Sequence, residues 1–310
     1  MENIYQKYRQ LFYLQKYFDL QDLIKFQSYE ANDIMTYYKK THKLFYKTFA
    51  SKDGFMHVGL SENGYYKKDC GYELYQLNII KETIQQIAAS YVTEIGCGQC
   101  TNLKYLSTFY PNVNFFGIDL IPTLKNIRKN KNVKVYSDDY HRMDTIKDST
   151  QSLIYAIETV CYSSQKSNLL KTIHQKLDAD GMFLMFDIFL GKPRESLLEI
   201  DQIYLNILEN AYCLNPLQLF CDFETMIINS GFKIYESQDL STLAMPYLSE
   251  IEARMSKYLN IGGSLLKILL SLYPKAVTQS MPPGVLMKQM VEEKYLQYRY
   301  ILLKKQGVVK

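Results

Sequence analysis

Glu94-Ile95-Gly96-Cys97-Gly98-Gln99-Cys100 sets a carboxylate two positions ahead of a pair of glycines, directly after the apolar run of residues 92–95. Glycines at that spacing turn the backbone sharply at a strand end and let it approach a ligand closely. Phe115-Phe116-Gly117-Ile118 then leads to Asp119, so a second strand also ends in a carboxylate. A carboxylate there can hold both hydroxyls of a ribose. Turn and acid together point to a cofactor that contains adenosine. Two further segments carry groups fit for proton transfer: His57 in Gly54-Phe55-Met56-His57-Val58-Gly59-Leu60, and Glu158 and Tyr162 in Ala156-Ile157-Glu158-Thr159-Val160-Cys161-Tyr162. An unperturbed histidine titrates near neutral pH, and Tyr162 could hold a hydroxyl for a base such as Glu158.

These groups need a scaffold that gathers several strand ends, and the periodicity predicts one. From residue 92, short apolar runs at 92–95, 114–118, 133–136, 152–156 and 182–186 alternate with helical stretches at 102–109, after 118 to about 129, and at 164–177. Such alternation means right-handed crossovers and a mostly parallel sheet. Helices at 194–211 and 215–230, a strand at 231–235 and a last strand at 298–303 follow. Upstream, apolar residues recur at helical spacing from about 4 to 49 with no glycine or proline between them. A loop with Gly54, Gly59, Gly64 and Gly71 precedes a helix at 72–88, and a mainly helical insertion occupies about 242–294.

With 310 residues, 47% of them hydrophobic, the chain can bury a large core. Its 36 basic and 32 acidic residues leave +4, too near balance to indicate a nucleic-acid partner. Among six scattered cysteines only Cys97 and Cys100 have C-x-x-C spacing, and they interrupt the glycine turn without a second pair. They read as incidental thiols, and no metal is expected. The first residues lack a basic segment leading into an apolar run, and no stretch approaches the roughly 20 apolar residues of a membrane span. A reduced, cytoplasmic protein is expected. Lys125, Arg128, Lys129, Lys131 and Lys134 read as a solvated helix end, and the leucine-rich residues 265–270 as core or cap packing.

A dinucleotide loop reads G-x-G-x-x-G, and here Thr101 takes the last position, which weakens a nicotinamide reading. The acid-x-Gly-x-Gly pattern of residues 94–98 instead resembles the first motif of class I S-adenosylmethionine-dependent methyltransferases. The resemblance covers residues 54–240 well and the flanks weakly. It implies an α/β fold: a Rossmann-like, doubly wound, seven-stranded, mostly parallel sheet with its last strand reversed, N-terminal helices and an inserted helical cap. The implied division is 1–90 as N-terminal helical segment and active-site loop, 91–241 as S-adenosylmethionine-binding core, 242–294 as acceptor cap and 295–310 as the final core strand.

The resemblance implies S-adenosyl-L-methionine as cofactor, with Glu94, Gly96, Cys97, Gly98 and Gln99 around its methionine part, Asp119 at the ribose and Leu120 against the adenine. Ser137-Asp138-Asp139-Tyr140 resembles the motif whose acid meets the adenine amino group; Asp139 is preferred, Asp138 is second, and Tyr140 completes the set. Residues 156–162 resemble a motif of the sterol, tocopherol, cyclopropane-fatty-acid and natural-product branch, and residues 54–60 its Met-His-x-Gly segment near the donor methyl group. His57, Glu158 and Tyr162 are therefore expected in catalysis, with Glu158 also at the cofactor. Cys100 stands where a third loop glycine is usual, and Tyr162 where many members have histidine.

The expected reaction is methylation of a hydrophobic small molecule (a lipid, terpenoid or natural product) at oxygen or carbon. An oxygen acceptor needs a base; a carbon acceptor forms a carbocation that the faces of Tyr65, Tyr66 and Tyr162 could stabilise. The alternative is a catalytically silent protein of this fold acting as a partner-binding module. The hydrophobic acceptor is the expected partner, with no nucleic acid and no membrane span, and a homodimer stays open.

Overall fold

Val92 and Ile95 lie an odd number of residues apart, so in an extended chain they face opposite sides, and both are apolar. Strand β1 (Tyr91–Ile95) accordingly buries every residue after Tyr91, as befits a central strand covered on both faces. The structure is a computed structural model, and the residues it describes are 2–122 and 130–306. The other strands are β2 (Asn114–Asp119), β3 (Val133–Ser137), β4 (Gln151–Ile157), β5 (Leu177–Leu190), β6 (Phe232–Asp239) and β7 (Leu296–Lys305). They form one sheet in the order β3-β2-β1-β4-β5-β7-β6. β1 pairs in parallel with β2 and β4, β2 with β3, and β4 with β5, while β7 runs antiparallel to β5 and β6.

The chain begins this sheet in the middle, steps outward to β3, and returns to the other side of β1 at β4. The direction of winding reverses there, and in open α/β sheets the ligand crevice lies beyond the C-terminal strand ends at such a point, here those of β1 and β4. Helices α3 (Leu74–Gln86) and α4 (Thr101–Phe109) bury Leu77, Ile80, Leu103 and Leu106 against Val92, Phe115 and Leu153 on one face. On the other, α5 (Lys166–Lys176) and α7 (Phe220–Asn229) bury Leu169, Ile173, Phe223 and Ile227 against Ile95, Ile118 and Ile154.

A third apolar cluster joins α1 (Glu2–Gln15) and α6 (Glu199–Ala211) to helices inserted between β6 and β7. The inserted helices are α8 (Ser241–Leu259), α9 (Gly263–Ser271), α10 (Lys275–Thr278) and α11 (Met281–Glu292). Gly284 lets α11 close on α8, because a Cβ there would stand 2.6 Å from Met255 Cγ. The buried Lys7 Nζ lies 2.6 Å from Asp201 of α6 and also bonds Glu293 after α11, which ties the N-terminal helix to both. α2 (Ala31–Phe49) is the remaining N-terminal helix.

Three expectations differ from what is found. The continuous N-terminal helical segment is broken after α1. The carbonyls of Leu23, Ile24 and Lys25 accept hydrogen bonds from the side-chain amides of Asn206 and Asn210, at 2.7, 2.8 and 2.7 Å, in place of helical partners. Phe18, Leu20 and Leu23 are meanwhile buried against α6. The helix expected from residue 215 begins at Phe220: Asn215 precedes Pro216, and its side chain bonds both backbone groups of Tyr29, at 2.9 and 3.0 Å. The helix expected from residue 194 begins at Glu199 after a short 3₁₀ turn. The helix expected to run to about residue 129, with Lys125, Arg128 and Lys129, lies outside the described residues.

Candidate active site

The turn after β1 is built by backbone that only glycine adopts without strain. Gly96 has φ +69° and Gly98 φ +46°, both left-handed. A Cβ on Gly96 would also run into the Thr159 side chain, so the loops that follow β1 and β4 pack with no space between them. Cys100, the expected third glycine, is left-handed as well, with φ 58°, at a cost of about 1–2 kcal/mol for an L-residue. Its side chain is fully buried in the core, with Sγ 3.8 Å from Cys97 Sγ. Cys97 in turn lies over β2, where a Cβ on Gly117 would come within 2.8 Å of its sulfur. The departure at Cys100 therefore loads the backbone without placing a side chain on the open side of the turn.

Three carboxylates face the crevice. Glu94 is 2% exposed; its Oε1 accepts a hydrogen bond from Asn102 Nδ2 at 2.7 Å, and its Oε2 has no partner. Burial pushes its pKa up to about 8. Asp119, at the end of β2, accepts the Gly98 N–H on Oδ2 at 2.9 Å and the Ile121 N–H on Oδ1 at 2.8 Å, and burial raises its pKa too. Glu158 follows β4 with φ 52°, a strained conformation for a non-glycine residue and one that clusters at functional sites. Its Oε1 accepts the Val58 N–H at 2.8 Å and the Tyr298 hydroxyl at 2.9 Å, and burial lifts its pKa to about 7. No lysine or arginine forms an ion pair with any of the three among the described residues.

The pair after β3 divides its work. Asp138 Oδ2 accepts the Thr145 N–H at 2.9 Å and the Thr145 hydroxyl at 2.7 Å, so it closes its own turn. Asp139 Oδ1 pairs with His141 Nδ1 at 2.8 Å, and His141 Nε2 lies 2.8 Å from Ser163 Oγ. The Tyr140 ring rests against His141 at 4.6 Å, and Leu120 is half-buried beside its strand end. Gln99 contacts His42 of α2, which brings that helix over the glycine turn.

His57 is buried, and neither ring nitrogen makes a hydrogen bond. Burial lowers its pKa to about 4. Tyr162 packs on Tyr38 of α2 with ring centres 5.6 Å apart, and burial raises its pKa well above the usual phenol value. Tyr66 meets Tyr247 of α8 edge-on at 5.0 Å, whereas Tyr65 is exposed. Asn102, His42, Tyr38, Tyr298 and Asp187 were not legible as site residues. Asp187 is fully buried and accepts the Thr159 and Cys161 N–H groups on Oδ2, at 3.1 and 3.0 Å, which fixes the loop carrying Glu158. All but Asn102, which lies eight residues from Glu94, act across a long stretch of sequence, and no local spacing marks them.

Residues 93–185 match the family described as a methyltransferase domain. No curated protein matches the chain by sequence. Its fold is similar to that of the mycolic acid cyclopropane synthase CmaA1 solved with SAH and CTAB, at 15% identity and TM-score 0.70, over 90% of this chain and 99% of that one. It is similar to the geranyl diphosphate C-methyltransferase from Streptomyces coelicolor A3(2), solved with Mg2+, geranyl diphosphate and S-adenosyl-L-homocysteine, at 12% identity and TM-score 0.60, over 90% and 100%. The [4+2]-cyclase SpnF shares the fold at 11% identity and TM-score 0.67, over 91% and 98%.

The raised carboxylate values carry a sign. A carboxyl whose folded pKa lies above its unfolded value stabilises the fold below the unfolded value, and that contribution is lost as pH rises through the folded value. The ligand-free protein should therefore lose stability as pH climbs from 4.5 to about 8, partly through Glu94. Glu94→Gln should flatten this slope in urea denaturation followed across that range; parallel curves for variant and parent would contradict the assignment.

Proposed function

We propose that this chain, a class I S-adenosylmethionine-dependent methyltransferase, methylates a hydrophobic small molecule at oxygen or carbon. The observation that carries the reading is the ring of tyrosines around Glu158. The Tyr298 hydroxyl donates to Glu158 Oε1 at 2.9 Å, burial above all raises the pKa values of Tyr38, Tyr247 and Tyr298 with the nearby Glu158 charge adding to it, and Tyr162 and Tyr66 pack onto Tyr38 and Tyr247. Such a wall offers broad apolar faces with few polar groups, as small-molecule sites do. It draws on α2, on the loop before α3 and on α8, which supports residues 242–294 as an acceptor cap over a core of 91–241 and 295–310, with 1–90 closing the site.

The residues fit the cofactor electrostatically. Glu94 offers a buried oxygen, with only the Tyr155 hydroxyl near it among the described residues, to an ammonium group, and the turn through Gly96, Cys97, Gly98 and Gln99 has open space at Gly98. Asp119 would hold the ribose, since a carboxylate has lone pairs beyond those used by Gly98 and Ile121. Leu120 would meet the adenine. Asp139 is the better acid for the adenine end with Tyr140, because Asp138 is committed to Thr145. Bound S-adenosylmethionine supplies an electrophilic methyl group on a sulfonium, and an in-line displacement there needs positioning more than stabilisation of new charge.

The base for an oxygen acceptor is Glu158 rather than His57. A general base works best with a pKa near the operating pH. Glu158 sits at about 7 and His57 at about 4, so His57 is a weak base that stays neutral and shapes the pocket. Tyr162 stays a phenol and orients the acceptor by donating its hydroxyl proton as a hydrogen bond. For a carbon acceptor the faces of Tyr162 and Tyr66 would lie beside the developing cation, and exposed Tyr65 would not.

Transfer of labelled methyl from S-adenosylmethionine across matched panels of apolar and polar acceptors tests this reading. Activity is expected on apolar alcohols, phenols or alkenes, and activity confined to polar acceptors would overturn it. On an oxygen acceptor, kcat/KM should rise with pH through a step near 7. Glu158→Gln should remove that step and lower kcat by about 100-fold or more, whereas an unchanged profile would rule Glu158 out as the base.

A further inference from the structure

α9 exposes its apolar side. Leu265, Ile268 and Leu272 follow one another at helical spacing i, i+3, i+7 and are 58%, 58% and 71% exposed, while Leu266 on the opposite side is buried in the helical cluster. Tyr258 and Ile261 just before the helix and Tyr273 just after it are exposed as well. The corner is held firmly: the Tyr17 hydroxyl accepts the Gly263 N–H at 3.0 Å, and the Tyr13 hydroxyl donates to the Leu259 carbonyl at 2.7 Å. Six large apolar side chains around one rigid corner exceed the scattered single exposures of an ordinary surface.

The charge around the corner is one-sided. Residues 253–291 contain Arg254, Lys257, Lys267, Lys275 and Lys288 but no aspartate or glutamate. Arg254 and Lys275 pair with Glu250 and Asp19, and Lys288 with Glu252 and Glu292, all outside that stretch, which leaves Lys257 and Lys267 exposed without an ion pair among the described residues. A second copy of the chain is a poor match for this face. A two-fold contact would set these lysines against their own equivalents, and the nearby Asp19 and Asp22 are already paired with Lys275 and Lys25. An anionic lipid surface fits both features: apolar and aromatic side chains enter the headgroup boundary while the lysines meet phosphates.

We propose that α9 and its flanking turns form a peripheral docking site for an anionic bilayer surface, with Leu265, Ile268, Leu272 and Tyr273 inserted shallowly and Lys257 and Lys267 on the headgroups. No described helix is long and apolar enough to cross a membrane, and docking of this kind needs none. The site stands apart from the identity of the methyl acceptor.

Co-sedimentation of the full chain with vesicles of phosphatidylcholine, with and without phosphatidylglycerol, tests it. Binding to the anionic vesicles should be roughly tenfold stronger or more and should weaken with salt. Lys257→Glu with Lys267→Glu should remove the preference for anionic lipid. Leu265→Gln with Ile268→Gln should lower binding to the anionic vesicles, at unchanged circular dichroism because both side chains are exposed. Wild-type protein that stays in the supernatant with both vesicle types, or variants that bind as wild type does, would overturn the proposal. So would a dimer, seen by analytical ultracentrifugation, that the Gln variants disperse in the absence of vesicle binding. The assay involves no methyl transfer, so its failure would leave the acceptor reading standing.

Discussion

Acid without base governs this molecule's crevice. Glu94 and Asp119 lie at the C-terminal ends of β1 and β2 and Glu158 just after β4, none is ion-paired with a lysine or arginine among the described residues, and burial raises the pKa of each. A carboxylate taken from water into such a place favours its protonated form until a cation arrives. S-adenosylmethionine brings two positive centres, an ammonium and a sulfonium. The same burial that penalises these charges thus favours a ligand that sets positive centres beside them.

Much of the remaining structure serves to keep those acids in place. Asn102 at the start of α4 orients Glu94, Tyr298 on β7 and the Val58 backbone hold Glu158, and Asp187 on β5 fixes the loop between. The strain at Glu158 and Cys100 is borne by these contacts, since each residue adopts left-handed backbone only because its surroundings demand it. α2 then reaches across, with His42 on Gln99 and Tyr38 on Tyr162, so one N-terminal helix lies against the candidate site.

What was legible in the sequence is what local spacing encodes. The strand and helix alternation and the glycine turn follow from patterns within a few residues, the reversed last strand was implied by the family resemblance, and the fold matches both. Pairings between distant segments were not legible. Tyr298 and Glu158 lie 140 residues apart, and Asn206 and Asn210 break an apparently continuous helix by bonding its carbonyls from 182 and more residues away. An amide that replaces a helical hydrogen bond leaves no periodic trace. Asp138 and Asp139 are adjacent and alike in type, and only their separate partners, Thr145 and His141, tell them apart. His57 illustrates the opposite limit: its residue type suggests a group that titrates near neutral pH, and burial, which the sequence does not show, lowers its pKa to about 4.

The central claim is that the crevice carries protonated acids which a cationic ligand ionises. Calorimetric titration with S-adenosylmethionine near pH 7, repeated in buffers of different ionisation enthalpy, measures this directly. Protons should be released on binding, by an amount that falls in Glu94→Gln, and S-adenosylhomocysteine, which lacks the sulfonium charge, should release fewer. Binding without any buffer dependence, or no binding at all, would contradict the account.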